Sequence, residues 1–278
     1  MLVGGSAMLN VTVKQTNEVC NNPPIIWTSD NPSVAVVSED GVVTALSAGT
    51  VHVTASIQTL SAQCTVTVIE DSNIEPEYVD LGLSVKWATF NVGALSPEDF
   101  GAYYAWGETE PKSSYDWSTY KWCNGSDTTM TKYCNNSDYG NNGFTDAKTT
   151  LDLEDDVAHV QWGGNWRMPT KAEQDELRTN CTWEWYSSDN TEFNGVAGYK
   201  VTSKIEGYTG RFIFLPAAGS RQGPGTYLSG AGSSVFYWSS SLYTDNPGGA
   251  WALNQFFFSG FEIVLSRCCG QSVRPVCE

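Results

Sequence analysis

One short acidic stretch divides the chain into two chemistries. Glu70-Asp71-Ser72-Asn73-Ile74-Glu75-Pro76-Glu77 carries four acids, one proline and one apolar residue, the composition of a linker rather than of a packed element. Before it, residues 1–69 read as all-β. After it, residues 78–278 are rich in Trp, Gly, Asn and Ser, with few long periodic stretches. The expected fold class is multidomain: an all-β sandwich (1–69), a linker (70–77), and an α+β domain with short helices and long loops (78–278). A length of 278 residues fits that division at ~150 residues per domain.

Charge narrows the partners. With 31 acidic and 15 basic side chains the net charge is −16, which argues against nucleic acid and against docking on an anionic membrane. Hydrophobic residues at 41% and aromatics at 13% exclude global disorder. No apolar run approaches the ~18 residues of a span, so direct membrane insertion is not expected. Met1-Leu2-Val3-Gly4-Gly5 has no signal-peptide character, although a trimmed signal is compatible with the rest. His52, on the polar side of an alternating strand, and His159, in a short helical segment, read as surface or half-buried side chains rather than ligands. Eight cysteines without CxxC or zinc spacing point to an oxidising, extracytoplasmic setting. The disulfide candidates are Cys20 and Cys64, Cys123 and Cys134, and Cys181 and Cys277, with connectivity left open.

In the first domain, Val51-His52-Val53-Thr54-Ala55-Ser56-Ile57 and Cys64-Thr65-Val66-Thr67-Val68 alternate as half-buried strands. Asp40-Gly41 between Val36-Val37 and Val42-Val43 is a hairpin signal. The run Trp27-Thr28-Ser29-Asp30-Asn31-Pro32-Ser33-Val34-Ala35-Val36-Val37-Ser38, with Asp40-Gly41-Val42-Val43-Thr44-Ala45-Leu46-Ser47-Ala48-Gly49-Thr50, resembles the bacterial group 2 immunoglobulin-like domain. That resemblance implies a spacer or stalk module.

In the second domain, Thr170-Lys171-Ala172-Glu173 is a capping box opening a helix to about residue 179, and a second helix runs through 153–161 to Gly163-Gly164. Strands are expected at 84–89, 199–204, 211–215, 235–240, 250–258 and 271–276. The stretch 107–150 is too long for a plain connection and must carry packed structure or function. Val79-Asp80-Leu81-Gly82-Leu83-Ser84-Val85-Lys86-Trp87-Ala88-Thr89, Tyr104-Ala105-Trp106-Gly107-Glu108-Thr109, Trp162-Gly163-Gly164-Asn165-Trp166-Arg167-Met168-Pro169-Thr170, Tyr237-Trp238-Ser239-Ser240-Ser241 and Gly270-Gln271-Ser272-Val273-Arg274-Pro275-Val276 resemble Bacteroidetes surface proteins of the Fibrobacter major paralogous type. Such domains are similar to the C-type lectin fold. The tail, about 217–278, resembles the variable region of a diversity-generating retroelement target. The resemblance implies a receptor or adhesin on a bacterial surface, lipoprotein-anchored or not, or on a phage tail fibre. Its partner would be a protein or glycan on another cell or host surface.

Residues 222–269 hold ten aromatic side chains and three charges, Asp245, Glu262 and Arg267. Phe256-Phe257-Phe258 and Phe261-Glu262-Ile263-Val264-Leu265 cannot all face one core as an alternating strand, which predicts an exposed apolar patch; a strand buried on both faces is the plain alternative. Trp238, Trp251, Leu253, Arg274 and Pro275 read as framework. The resemblance implies adenine-directed mutagenesis of Asn codons at solvent-facing positions, which yields Tyr, Phe, Leu, Ser, Gly, Ala, Thr, Val or Cys, but not Gln, Glu, Trp or Lys, so Gln222, Gln255 and Glu262 are poor candidates. The candidate ligand-binding positions are Tyr227, Leu228, Phe236, Tyr243, Gly248, Gly249, Ala252, Phe257, Phe258, Phe261, Leu265, Ser266, Cys268 and Cys269. Adjacent Cys268-Cys269 does not suit a spaced catalytic thiol pair, and no enzyme activity or cofactor is expected. Asp146, Asp152, Glu154, Asp155 and Asp156 offer calcium-type oxygens without EF-hand spacing and read as helix-start acids, so no metal site is assigned. The alternative function is a pilus-like assembly component with the apolar segment as subunit interface.

Overall fold

A computed structural model describes residues 1–13, 24–69, 76–224, 227–256 and 259–278. The expectations for Cys20, Phe257, Phe258 and most of the linker lie outside these residues, as does the side chain of Phe261.

The first strands form two antiparallel sheets around one core. The strands are β1 (Ser6–Met8), β2 (Ile26–Ser29), β3 (Ala35–Val37), β4 (Val42–Ala45), β5 (Gly49–Ile57) and β6 (Leu60–Val68), paired as β1-β4-β3 and β2-β5-β6. The β3–β4 hairpin turns at Asp40-Gly41, where Gly41 has φ +81° and donates its amide to the Ser38 carbonyl at 3.0 Å. A side chain at 41 would also meet the Trp27 ring at 2.7 Å, so only glycine serves. β5 alternates as its sequence predicts: Val51 and Val53 join Ala35, Val43, Ala45, Val66 and Val68 in the core. His52 faces outward, with Nδ1 2.9 Å from Asp30.

Residues 76–278 are β-rich with two short helices. The elements begin with β7 (Tyr78–Val79), β8 (Lys86–Ala88), β9 (Ser114–Tyr115), α1 (Val157–Trp162), α2 (Lys171–Asn180), β10 (Cys181–Tyr186), β11 (Gly198–Ser203) and β12 (Phe212–Pro216). They continue with β13 (Ser220–Arg221), β14 (Gly223–Pro224), β15 (Leu228–Ser229), β16 (Val235–Leu242), β17 (Gly249–Phe256), β18 (Ser259–Ser266) and β19 (Val276–Cys277). The main sheets are β10-β11-β12, β16-β17-β18 and β19-β8-β7, the last joining the chain's end to residues near the linker. α2 opens on the predicted capping box: Thr170 Oγ1 accepts from the Glu173 amide at 3.3 Å and Glu173 accepts from the Thr170 amide at 2.7 Å. The helix expected over 153–161 is split. Asp156 takes an extended conformation, and its carboxylate accepts the amides of Ala158, His159 and Met168 at 3.0, 3.2 and 2.8 Å, so α1 starts afresh after a 3-10 turn.

The central sheet is covered on both faces over Val235–Leu242 and 250–253, while the side chains expected to form an outward apolar patch, Phe256, Phe257, Phe258 and Phe261, lie outside the described residues. Val235, Tyr237 and Leu253 pack with Trp87, Val201 and Leu215. Trp238, Leu242, Ala250 and Ala252 pack with Tyr104, Trp106 and Val273. Trp251 is half-buried rather than framework core, lying under the Lys171 ammonium at 4.9 Å. The β1-β4-β3 sheet touches this assembly directly: Ser6 donates to Gly101 at 2.8 Å and accepts from Phe100 at 3.1 Å, and Val42 packs against Phe100, Tyr103 and Tyr115.

The predicted disulfides do not form among the described cysteines: Cys64, Cys123, Cys134, Cys181 and Cys277 are free thiols. Each loop thiol is satisfied within its own turn, Cys123 donating to the Trp117 carbonyl at 3.2 Å and Cys134 to that of Asn136 at 3.1 Å. Cys181 packs in the core with Leu177 and Val201, and burial pushes its thiol up to about 11. Under native conditions a thiol reagent is expected to reach exposed Cys64 quickly and Cys134, Cys181 and Cys277 only after unfolding. A cross-linked Cys181–Cys277 peptide in a non-reduced map would refute this.

Acid sensitivity follows from the capping box. Burial acts to raise the Glu173 carboxyl, but hydrogen bonds from Arg167 and the Thr170 amide outweigh it and hold the group below the ordinary glutamate value. The unfolded chain therefore takes up this proton first as pH falls. The stabilisation is complete above the unfolded pKa of ~4.3 and is lost as pH drops through the folded value. Glu173→Gln is expected to be less stable at neutral pH and to lose less stability on acidification, read by urea unfolding at several pH values.

Candidate functional site

The candidate positions scatter over core and surface. Tyr227 is 66% exposed, and Ser266 is exposed. Phe236, Tyr243 and Leu265 are half-buried. Leu228, Ala252, Cys268 and Cys269 are buried, contrary to expectation, because other segments fold over them. Leu228 and both cysteines lie in a cluster with Tyr115, Tyr120 and Met130 of the long stretch 107–150, and Ala252 lies against Trp238 and Tyr104. Cys268 is raised by its hydrogen bond to Cys269 and by burial. Phe261 is placed only through its backbone, opposite Asn254.

Five of these positions converge. Tyr243, Gly248, Gly249, Leu265 and Ser266, with Asn246 and Val264, line an open cavity of about 140 Å³ whose far wall is Trp117 and Asp127. The loop from β16 to β17 is shaped by its own polar groups: Asn246 accepts the Gly248 amide through Oδ1 at 2.9 Å and the Gly249 amide through its carbonyl at 2.9 Å. Both glycines are buried and closely confined. A Cβ at 248 would lie 3.2 Å from Asp127 Cβ, and one at 249 would lie 2.4 Å from Val264 Cγ1. They shape the cavity rather than offer side chains to it.

Both aromatic walls are braced. The Tyr243 ring meets Trp251 edge-on at 5.1 Å, and Trp117 meets Tyr120 edge-on at 5.6 Å. The Asp245 carboxylate, by its charge and then by its hydrogen bond, raises the Tyr243 hydroxyl.

Arg267 fixes the whole arrangement. Its guanidinium is fully buried and donates to the Tyr120 hydroxyl at 2.8 Å and to the carbonyls of Pro247, Tyr133 and Lys132 at 2.9, 3.0 and 3.1 Å. Trp106 and Tyr120 rings flank it at 4.8 and 5.2 Å. One side chain thus joins β18, the β16–β17 loop and the long stretch. Sequence reasoning recorded Arg267 only as a charge and missed Trp117 and Asp127. The unusual length of 107–150 was the one signal pointing there.

The acids weighed for calcium are otherwise engaged. Asp152, Glu154 and Asp155 surround Lys132 Nζ at 3.0, 3.0 and 2.6 Å, so an ammonium group sits where a cation would. Asp146 accepts the Tyr133 and Cys134 amides at 2.7 and 2.9 Å.

A family model described as a bacterial Ig-like domain matches residues 25–70. That segment is a bacterial Ig-like domain. It holds β2 to β6, while β1, outside the match, adds an edge strand to β4. No curated protein matches the chain.

Removing the Arg267 side chain leaves three buried carbonyls without their donor. Arg267→Met is expected to destabilise the fold in urea unfolding, at about 1–3 kcal/mol for a buried acceptor left unpaired. Arg267→Lys should recover only part of that, since one ammonium cannot reproduce the guanidinium fork.

Proposed function

We propose that this chain is a non-enzymatic receptor or adhesin displayed outside the cell, on a bacterial surface or a phage tail fibre. In this reading its second domain is of the C-type-lectin type, and a diversity-generating retroelement rewrites its C-terminal face. The observation that carries the reading is the meeting of Tyr243, Leu265 and Ser266 at one open cavity beside Gly248 and Gly249. These positions were chosen from codon chemistry, while Trp238, Leu253 and Arg274 of the same segment are buried as framework. A braced floor with an open rim is what a surface needs if its side chains are to change while the fold persists.

Burial removes Leu228, Ala252, Cys268 and Cys269 from the proposed contact set; Tyr227, Phe236, Tyr243, Leu265 and Ser266 remain, and the side chains of Phe257, Phe258 and Phe261 lie outside the described residues. The ligand class is a protein or glycan of another surface. The pilus-like alternative takes the apolar segment around Phe256, Phe257, Phe258 and Phe261 as its subunit interface, and those side chains lie outside the described residues.

Sequencing the coding region through a clonal population carrying an active reverse transcriptase tests the proposal. Substitutions are expected to cluster at the codons of Tyr243, Leu265 and Ser266, matching adenines of a template repeat. Uniform codons there, or a genome without such a repeat, would overturn the diversification.

A further inference from the structure

The cavity beside β18 has a chemistry that selects among partners. Its lining includes two aromatic residues, Trp117 and Tyr243, and one exposed acid, Asp127, whose Cβ lies 3.2 Å from where a Cβ on Gly248 would stand. Among the described residues, no side chain pairs with the Asp127 carboxylate, and no basic residue lines the cavity. The cations nearest in the chain are engaged elsewhere. Lys132 is held by Asp152, Glu154 and Asp155, Lys148 by Asp152, and Lys121 lies over the Trp122 ring at 4.2 Å. Asp245 adds a second negative group through its bond to Tyr243.

Size excludes the larger ligands. At about 140 Å³ the cavity falls well below the ~300 Å³ at which drug-sized sites begin. It matches a single protruding side chain. Both rings are held by edge contacts to Trp251 and Tyr120, so little ordering remains to be done on binding.

We propose that this cavity receives one lysine or arginine side chain projecting from the surface of a protein partner, with the cation between Trp117, Tyr243 and Asp127. The proposal rests on the receptor reading and names the partner chemistry at that site. Ring faces attract a desolvated cation, and the carboxylate adds a charged hydrogen bond. The net charge of −16 steers a basic surface toward the molecule at low ionic strength.

The test is an NMR titration of the full chain with Nα-acetyl-lysine methylamide, Nα-acetyl-arginine methylamide, the uncharged norleucine analogue and methyl glycosides. The Trp117 indole signal is assigned by Trp117→Phe. Saturable shifts are expected with the lysine or arginine probe, weakened about tenfold by Asp127→Asn and unchanged by Glu206→Gln, an exposed acid of the β11–β12 connection. Asp127 is exposed and its carboxylate carries no structural bond, so the variant should fold normally. Equal binding of norleucine, or indifference to Asp127→Asn, overturns the proposal. A response to glycosides alone overturns it while leaving the receptor reading intact. Silence from every probe overturns it too, and the receptor reading then stands or falls on the codon sequencing.

Discussion

A buried guanidinium without a carboxylate is an expensive thing to place in a protein, and the second domain is organised around one. Arg267 leaves water entirely, and its charge is answered by three backbone carbonyls, a tyrosine hydroxyl and the faces of aromatic rings. Those carbonyls belong to segments far apart in sequence, so the desolvation is compensated only when all of them are in place. The long stretch 107–150 is thereby tied to β18 although it has almost no regular structure. Lysine would not serve, because a point charge cannot address four acceptors spread in a plane. A second buried arginine repeats the device seven residues further along the chain. Arg274 donates to Asn91 Oδ1 at 2.8 Å and to the carbonyls of Ala88 and Thr89 at 3.2 and 3.0 Å, and burial lowers it to about 10. Together the two arginines pin the segment that the proposed function requires to vary.

The Ig-like domain takes part in this bracing. Arg221 reaches Thr44 at 2.9 Å, and Ser6 exchanges backbone bonds with residues 100–101. Gly5 permits the approach, since a side chain there would stand 2.5 Å from the Gly93 carbonyl. Val42 enters the cluster that also holds Tyr115, Leu228, Cys268 and Cys269. A module read from sequence as a spacer therefore closes part of the core beneath the cavity, and its loss would expose apolar surface on the other unit.

What was legible in the sequence was local. The Asp40-Gly41 turn, the Thr170/Glu173 box and the alternation of β5 each depend on residues within a few positions, and each folds as read. β10 was missed because α2 runs into it without a turn residue: Asn180 ends the helix and Cys181 already pairs with Ser203. The strand expected over 271–276 shrinks to Val276–Cys277, preceded by isolated bridges at Gln271 and Ser272. Pro275 has no amide to offer a ladder. The site depended on contacts across long separations. Whether position 252 or 268 faces water is decided by Tyr104 and Tyr120, and nothing in the local pattern carries that information.

The same long-range packing sets how far the cavity can change. Gly249 pairs with Ser266 across the β17–β18 ladder, and Val264 stands diagonally beside it. A side chain at 249 has no room while Val264 keeps its present rotamer, with only 2.4 Å available to a Cβ. Valine has a single χ angle and branches at Cβ, so it cannot fold aside as a long side chain would. Bulk at 249 therefore requires a smaller residue at 264, and positions 249 and 264 can change only together. Ser266 carries no such restriction, because it is exposed, whereas the half-buried Tyr243 ring packs edge-on against Trp251. A substitution at 266 therefore needs no partner change, while one at 249 needs a smaller residue at 264 and one at 243 forfeits the contact to Trp251.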